Sequence, residues 1–485
     1  MNILYIHESV PRPDKSGCDL RLFGILKLLR KAGHDVTLLA RFPTFEPHYC
    51  NYLRENCIHL EVGAEREDPE AHLFWFGGTE PQFQRILRRR YDLAILPLWF
   101  WRHVTIPDDF LAFIRTYSPS TRIAVLTDDR QGYRQELVAA VEGSFSQHEF
   151  AADFSEREAM YYRKADAVLT ISEEEAKYVR TLAPGCRAFC VPFSADLQPP
   201  GPDFDSRKGL LFLADYDNFA GRDAIGWFAE ETWPIILGRY PEMQLCVAGN
   251  NAERVGNCLG KNTSCIGHVP DVGSIFHRHR LFISPVRIGS GIATKNVLAM
   301  SYGLPIVTTS IGAQALGNVS DFVMAVQPDA QDFAAGIFDC YNNDVWWTGA
   351  SAASRKHVDE YFSPFRLETA LNIALSQIFS AWPKADQPDV SGVDLPENAF
   401  PVRDPSGFEQ IILAESFLER GDIRNALRQF RYALYRLQFR GTKARYHYIR
   451  TVAGIAACYG KMGESDRVRD CTEEIKRTDT GVVVR

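Results

Sequence analysis

Basic residues are in deficit in this chain of 485 residues: 54 Lys and Arg face 61 Asp and Glu, a net charge of -7. Bulk nucleic-acid binding normally shows as a basic surplus, so no nucleic-acid partner is expected. Long apolar runs are missing too, and nothing approaches the roughly 20 residues a helical bilayer crossing needs. The opening Met1-Asn2-Ile3-Leu4-Tyr5-Ile6 has no basic segment before its apolar run. It reads as a first strand and not as a signal peptide. Paired metal-ligand spacings are absent. Of eleven cysteines the closest pair is Cys186 and Cys190, with no second pair to complete a zinc pattern. The histidines show no His-Glu-x-x-His spacing. These absences leave a cytoplasmic protein with reduced, mostly buried thiols and no metal site as the expectation.

What is present is a βαβ rhythm. Ile3–Ile6 and Val36–Leu39 are strand-length apolar runs flanking a stretch, Arg21 to Lys31, with Leu22, Ile25, Leu26, Leu28 and Leu29 at helical spacing. Further strands are expected near Leu93–Leu96, Ile123–Leu126, Ala167–Ile171 and Ala188–Val191. Pro199-Pro200-Gly201-Pro202 punctuates the pattern. It restarts at Gly209-Leu210-Leu211-Phe212-Leu213, with strands near Leu245–Ala248, Leu281–Ser284 and Pro305–Thr308. The fold class expected is α/β, with two doubly wound Rossmann-like domains, 1–198 and 206–378. A linker, 379–407, carries the five prolines between Trp382 and Gly407.

From 408 to 478 the pattern is helical. Ala414, Phe417, Gly421, Ala426, Phe430 and Ala433 take offsets typical of a helix-turn-helix repeat. A shift of 42 residues gives Ala456, Tyr459, Gly463, Val468, Thr472 and Ile475. The first unit resembles a tetratricopeptide repeat, although the period exceeds the usual 34 or so residues. The region is either an appendage packed on the body or a module for a protein partner or self-association.

The chemistry concentrates after the Leu281–Ser284 strand. Val286-Arg287-Ile288-Gly289-Ser290-Gly291 is a glycine-containing loop that feeds a helix starting near Ile292 and ending before Gly303. Such a loop is an anion site, because free N–H groups and the helix dipole face the ligand. Arg287 and Lys295 flank it with positive charge.

The run Pro285 to Thr309 resembles the donor-site motif of family 4 glycosyltransferases. Asp223 to Phe228, Trp233-Pro234 and Gly267-His268-Val269-Pro270-Asp271 extend the resemblance. In the first domain Pro13-Asp14-Lys15-Ser16-Gly17, Arg21, Gly33-His34 and Ala165 to Glu173 do the same, so it covers residues 1 to about 375. The resemblance implies a GT-B fold and a retaining, metal-independent transfer from a nucleotide-sugar donor to a glycan, lipid or protein acceptor. It implies that Arg287 and Lys295 neutralise the donor diphosphate. Gly289, Ser290, Gly291, Ile292 and Thr294 would bind it, with Ser16 and Gly17 opposite. Asp129 stands at a catalytic position, and Arg21, Gln131 and Arg134 lie on the acceptor side. No cofactor is implied, and the protein would work in the cytoplasm or at the inner membrane face.

Three positions depart from the family. Leu298 stands where a glutamate usually holds the ribose. Gln131 replaces a histidine. Ala214-Asp215 replaces Gly-Gly, and a carboxylate near a diphosphate repels it unless paired or turned away. These departures motivate the alternative of a catalytically degenerate scaffold that binds a partner through its C-terminal helices. Elsewhere, Arg85, Arg88, Arg89 and Arg90 read as a solvated face, or as a contact for anionic lipid or a charged acceptor glycan; Trp99 and Trp101 read as packing residues or as a place for an acceptor sugar to stack; and Glu173-Glu174-Glu175 reads as a helix start capped by Ser172.

Overall fold

The computed structural model describes residues 1–62 except 43 and 45, 118–380 except 144 and 270, 408–438 and 445–479. Between 63 and 117 it describes 86, 89–98, 100, 101, 104, 105, 110, 111, 114 and 115. Trp99, Arg85, Arg88, Pro270 and nearly all of the expected linker lie outside the described residues.

The first half builds a parallel sheet from β1 (Asn2–Ser9), β2 (Asp35–Phe42), β3 (His59–Val62), β4 (Leu93–Pro97), β7 (Arg122–Leu126), β8 (Ala167–Thr170) and β9 (Ala188–Cys190). Two-residue strands β5 (Phe100–Trp101) and β6 (Val104–Thr105) pair separately. The sheet order is β3-β2-β1-β4-β7-β8-β9. The second half repeats the plan with β10 (Leu210–Leu213), β11 (Leu245–Ala248), β12 (Thr263–Ile266), β13 (Leu281–Ser284), β14 (Ile306–Thr309) and β15 (Val323–Val326), ordered β12-β11-β10-β13-β14-β15. Central strands such as β4, β8, β11 and β13 are buried along their whole length. That is why they read as continuous apolar runs rather than alternating ones. The strands unforeseen from the sequence are the edges β3, β12 and β15 and the short pair β5 and β6. The partly exposed, mixed residues of β3 and β12 (His59-Leu60-Glu61-Val62; Thr263-Ser264-Cys265-Ile266) carry no apolar run to detect, whereas β15 is an apolar run, Val323-Met324-Ala325-Val326, detectable but unforeseen.

The helices that matter to function are few. In the first half these are α1 (Gly17–Lys31), α2 (Gln131–Glu142), α3 (Phe145–Lys164) and α4 (Glu173–Leu182). The second half adds α5 (Phe219–Trp227) and α6 (Thr294–Ser301). Ser172 caps α4, its Oγ accepting from the Glu175 N–H at 3.1 Å. Glu175 is more than a cap residue, since its carboxylate is buried and reaches the Ile171 N–H at 2.8 Å.

The helix α7 (Pro364–Ser380) falls within the span assigned to the second domain but packs on the first. Leu367, Leu371, Ala374, Leu375 and Ile378 join the core of Ile3, Leu26 and Leu38. Arg122 and Arg187 donate to the Ile378 and Gln377 carbonyls at its end. The Ala195 N–H donates to the Phe362 carbonyl at 2.8 Å, so the two chain crossings between the halves are bonded to each other.

Four helices end the described chain: α8 (Phe408–Glu419), α9 (Ile423–Gln438), α10 (Arg445–Met462) and α11 (Ser465–Asp479). Gly421 and Gly463 occupy the turns at φ of 78° and 81°, a region open to glycine. Ala414, Ala426, Phe430, Ala433 and Tyr459 are buried. Thr472 is exposed and its neighbour Cys471 takes the buried place, so the second unit slips by one residue. The four helices share a core that includes Phe145 of α3. A charge cluster seals this contact. Glu149 of α3 accepts from Arg431 at 3.0 Å and from the Tyr459 hydroxyl at 2.8 Å, with Arg467 at 3.6 Å.

Candidate donor site

The loop after β13 enters α6 at Thr294 without a side-chain cap. Among the described residues, no backbone N–H from Gly289 through Lys295 finds an acceptor. The first N–H groups of a helix have no acceptor within it, and here they extend the free run of the loop at a helix start where the dipole favours an anion. The loop lies at the carboxyl end of β13, beside β10, where open α/β sheets bind ligands. Opposite it stands α1. Ser16 caps that helix, its Oγ accepting from the Asp19 N–H at 3.5 Å. A Cβ on Gly17 would collide with the Thr294 hydroxyl, and one on Gly291 with the Asp128 carbonyl oxygen. Glycine at both places lets the two halves approach.

The two expected phosphate cations differ. Arg287 is committed: Nη2 and Nε donate to the Asp223 carboxylate at 2.5 and 3.1 Å, and the guanidinium lies 5.4 Å from the Trp227 ring centroid. Both partners belong to α5, so Arg287 ties the loop to that helix. Lys295 is half-buried and has no hydrogen-bond partner among the described residues. Desolvation pulls its pKa down, against the opposing pull of the Asp215 and Cys18 side chains. The Asp215 carboxylate accepts from the Asp217 N–H at 3.1 Å, so it is engaged in its own turn with the Lys295 charge beside it. Leu298 packs against the second-half core and offers no polar atom to a ribose.

On the first-half side, Asp129 Oδ1 is enclosed without a partner, while Oδ2 sits 3.4 Å from Arg134. Burial raises the Asp129 pKa, opposed by Arg134. Gln131 is buried with its Nε2 unpartnered, and Ser290 is buried with its Oγ unpartnered. Three enclosed polar atoms left over at one cleft call for a partner there, whether water, an ion or a ligand. Arg134 also donates to Asn218 Oδ1 at 3.3 Å across the cleft. Arg21 corrects the expectation of an acceptor-side role. It is 1% exposed, and its terminal nitrogens donate to Thr127, Thr170 and Val191 carbonyls and to Asp128. It pins α1 to the strand ends and has no terminal N–H left to face an acceptor.

Two residues hold this loop: Glu158, which carried no local sequence signal, and Glu175, which the sequence marked only as part of a helix start. Glu158 of α3 accepts from the Gln131 and Gly132 N–H groups at 2.7 and 3.0 Å. Glu175 accepts from the Thr127 hydroxyl at 2.5 Å. Burial pushes their pKa values up to about 7 and about 8. Both values are raised above those of the unfolded chain. Their contribution to stability is therefore fully present below the ordinary glutamate range and is lost as pH rises through about 7 and 8. The melting temperature is expected to fall across that window, and the fall should shrink in a Glu158→Gln, Glu175→Gln double variant. An equally steep fall in that variant would assign it to other groups.

Comparison with known proteins follows this geometry. Residues 207–343 match the family model described as "Glycosyl transferases group 1". An "uncharacterized 44.6 kDa protein in cps region" of Klebsiella pneumoniae is 25% identical over 374 residues, 70% of this chain and 91% of that protein. Among solved structures, sucrose-phosphate synthase from Thermosynechococcus elongatus superposes with a TM-score of 0.58 at 15% identity, covering 79% of this chain and 100% of that one. Anabaena HepE, solved in complex with UDP and glucose, gives 0.55 at 13% identity, covering 78% and 100%. The fold is GT-B, two Rossmann-like domains facing a cleft with a helical C-terminal region.

Proposed function

We propose that this chain is a nucleotide-sugar-dependent retaining glycosyltransferase that binds its donor diphosphate between the Gly289–Lys295 loop and the start of α1. One observation carries the reading: a run of unpaired N–H groups and an uncommitted, desolvated ammonium share one cleft wall. A transfer that leaves a nucleoside diphosphate needs charge stabilisation where the leaving group forms, and preorganised donors in a water-poor cleft supply it. Lys295 and the loop amides fill that role without calling on a metal, so turnover should survive a chelator. Asp129 and Gln131 face the transferred sugar or its acceptor, a glycan, lipid or protein. The family match at 207–343 and the UDP bound by HepE support the donor class. The 408–478 helices, read as tetratricopeptide-like, are a place for a protein partner or self-association.

The test is calorimetric titration with nucleoside diphosphates, UDP first, followed by a nucleotide-sugar panel read for nucleotide release. Absence of binding and release across the panel, with acceptor glycans present, overturns the reading in favour of a scaffold. The Arg287–Asp223 pair refines it. If Arg287 acts by fixing the loop, Arg287→Ala and Asp223→Ala each weaken nucleotide binding, by about tenfold for a lost charged hydrogen-bond pair. If Arg287 instead swings onto phosphate, Asp223→Ala frees it and tightens binding.

A further inference from the structure

Arg130 belongs to the first half and sits just before α2, yet its side chain ends in the second. Nε donates to the Ser290 carbonyl at 2.9 Å and Nη2 to Gln314 Oε1 at 2.6 Å. Its guanidinium stacks 4.5 Å from the Tyr133 ring centroid and 5.9 Å from that of Tyr178. Gln314 Nε2 in turn donates to the Tyr133 hydroxyl at 3.4 Å. Next along the chain, the Ala315 N–H donates to Glu174 Oε2 at 3.1 Å, again across the cleft. The planar fork of arginine suits this double grip and is held flat by the rings.

The Ser290 contact bears on the anion cradle itself. In a trans peptide the carbonyl and the following N–H point in opposite directions. A guanidinium holding the Ser290 oxygen therefore fixes where the Gly291 N–H points, and withdraws electron density from that peptide so that the N–H donates more strongly. Gly291 has no side chain to set this orientation, and its Cα lies against the Asp128 carbonyl.

We propose that Arg130 is a positioning residue that sets the Ser290–Gly291 peptide for the donor diphosphate, so that the cradle is complete only when the two domains are closed. This rests on the donor-site reading above. Domain closure and donor recognition are then one event: an open cleft loses both the Gly17 wall and the orientation of the loop amides.

The experiment compares wild type, Arg130→Ala, Arg130→Lys, Gln314→Ala and the Arg130→Ala, Gln314→Ala pair. UDP affinity is read by calorimetry, the dimension of the free protein by small-angle scattering, and folding by melting temperature. Arg130→Ala should weaken UDP binding on the order of 10- to 100-fold, as loss of charge-assisted bonds does. It should also shift the free protein to larger dimensions with the melting transition retained. Arg130→Lys keeps the charge without the fork and should recover only part of the affinity. Gln314→Ala should weaken binding less, and the double variant should resemble Arg130→Ala alone, because the two act as one unit. UDP binding by Arg130→Ala equal to that of a binding wild type overturns this proposal and leaves the donor site standing. Additive effects of the two substitutions overturn the shared latch. A wild type that binds no nucleoside diphosphate removes the donor site and this proposal with it.

Discussion

Lys295→Ala is expected to lower nucleotide-sugar turnover by about 10²- to 10³-fold, the usual cost of removing one preorganised charge donor, while the melting temperature holds or rises. The second half of that expectation is the more telling. An ammonium drawn partly out of water without a hydrogen-bond partner is costly to the fold, and burial already pulls the Lys295 pKa down. A residue kept for packing or ion pairing would destabilise when truncated. One kept for an absent anion would not. Lys295→Met, which preserves the apolar stem, should behave like the alanine variant in turnover. A nucleotide-release assay, calorimetry with UDP and a thermal melt on the same samples check both halves. Wild-type affinity in Lys295→Ala would remove the phosphate role, and a large loss of melting temperature would return Lys295 to the structural ledger.

Glu149→Ala is expected to produce the largest stability effect, on the order of 3–5 kcal/mol at the seam between α3 and the C-terminal helices, the range for breaking a buried ion pair. Glu149 and Arg431 side chains are 1% and 3% exposed. Truncating the acid leaves a buried guanidinium with the Tyr459 hydroxyl at 2.9 Å, the solvent-facing Glu156 at 3.1 Å and the nearby Asp153 charge to answer it. Hydrogen exchange should show α8 to α11 losing protection while the β10 to β15 sheet keeps its own. A Glu149→Leu, Arg431→Met pair should recover much of the loss, since apolar replacement of both partners is often neutral or better. Unchanged exchange in Glu149→Ala would mean that apolar packing alone holds the helices in place.

Much of this architecture was legible in the sequence because buried parallel strands must be apolar throughout. Val247 and Ile283 announce themselves, whereas edge strands such as His59–Val62 do not. The glycine loop before α6 was legible for a different reason: Gly-x-Gly before a helix is a local pattern with a local cause. The partners of its charged groups were not. Nothing near Arg287 says that Asp223, 64 residues earlier, will take two of its N–H donors. Likewise Arg21 resembled a cleft residue by position, and only the tertiary structure shows four acceptors converging on it from β7, β8 and β9 and the turns that follow them. Arg130 stood between two residues assigned to the site, Asp129 and Gln131. Its role depends on a contact 160 residues away, which no periodicity reports.

The crossing of α7 onto the first half has a mechanical consequence. The halves are joined by two lengths of chain, stitched side by side where Ala195 meets Phe362. Two straps fastened together make a pivot, and a pivot converts free tumbling into swing along one arc. The C-terminal helices are riveted to α3, so they travel with the first half as ballast on that lever.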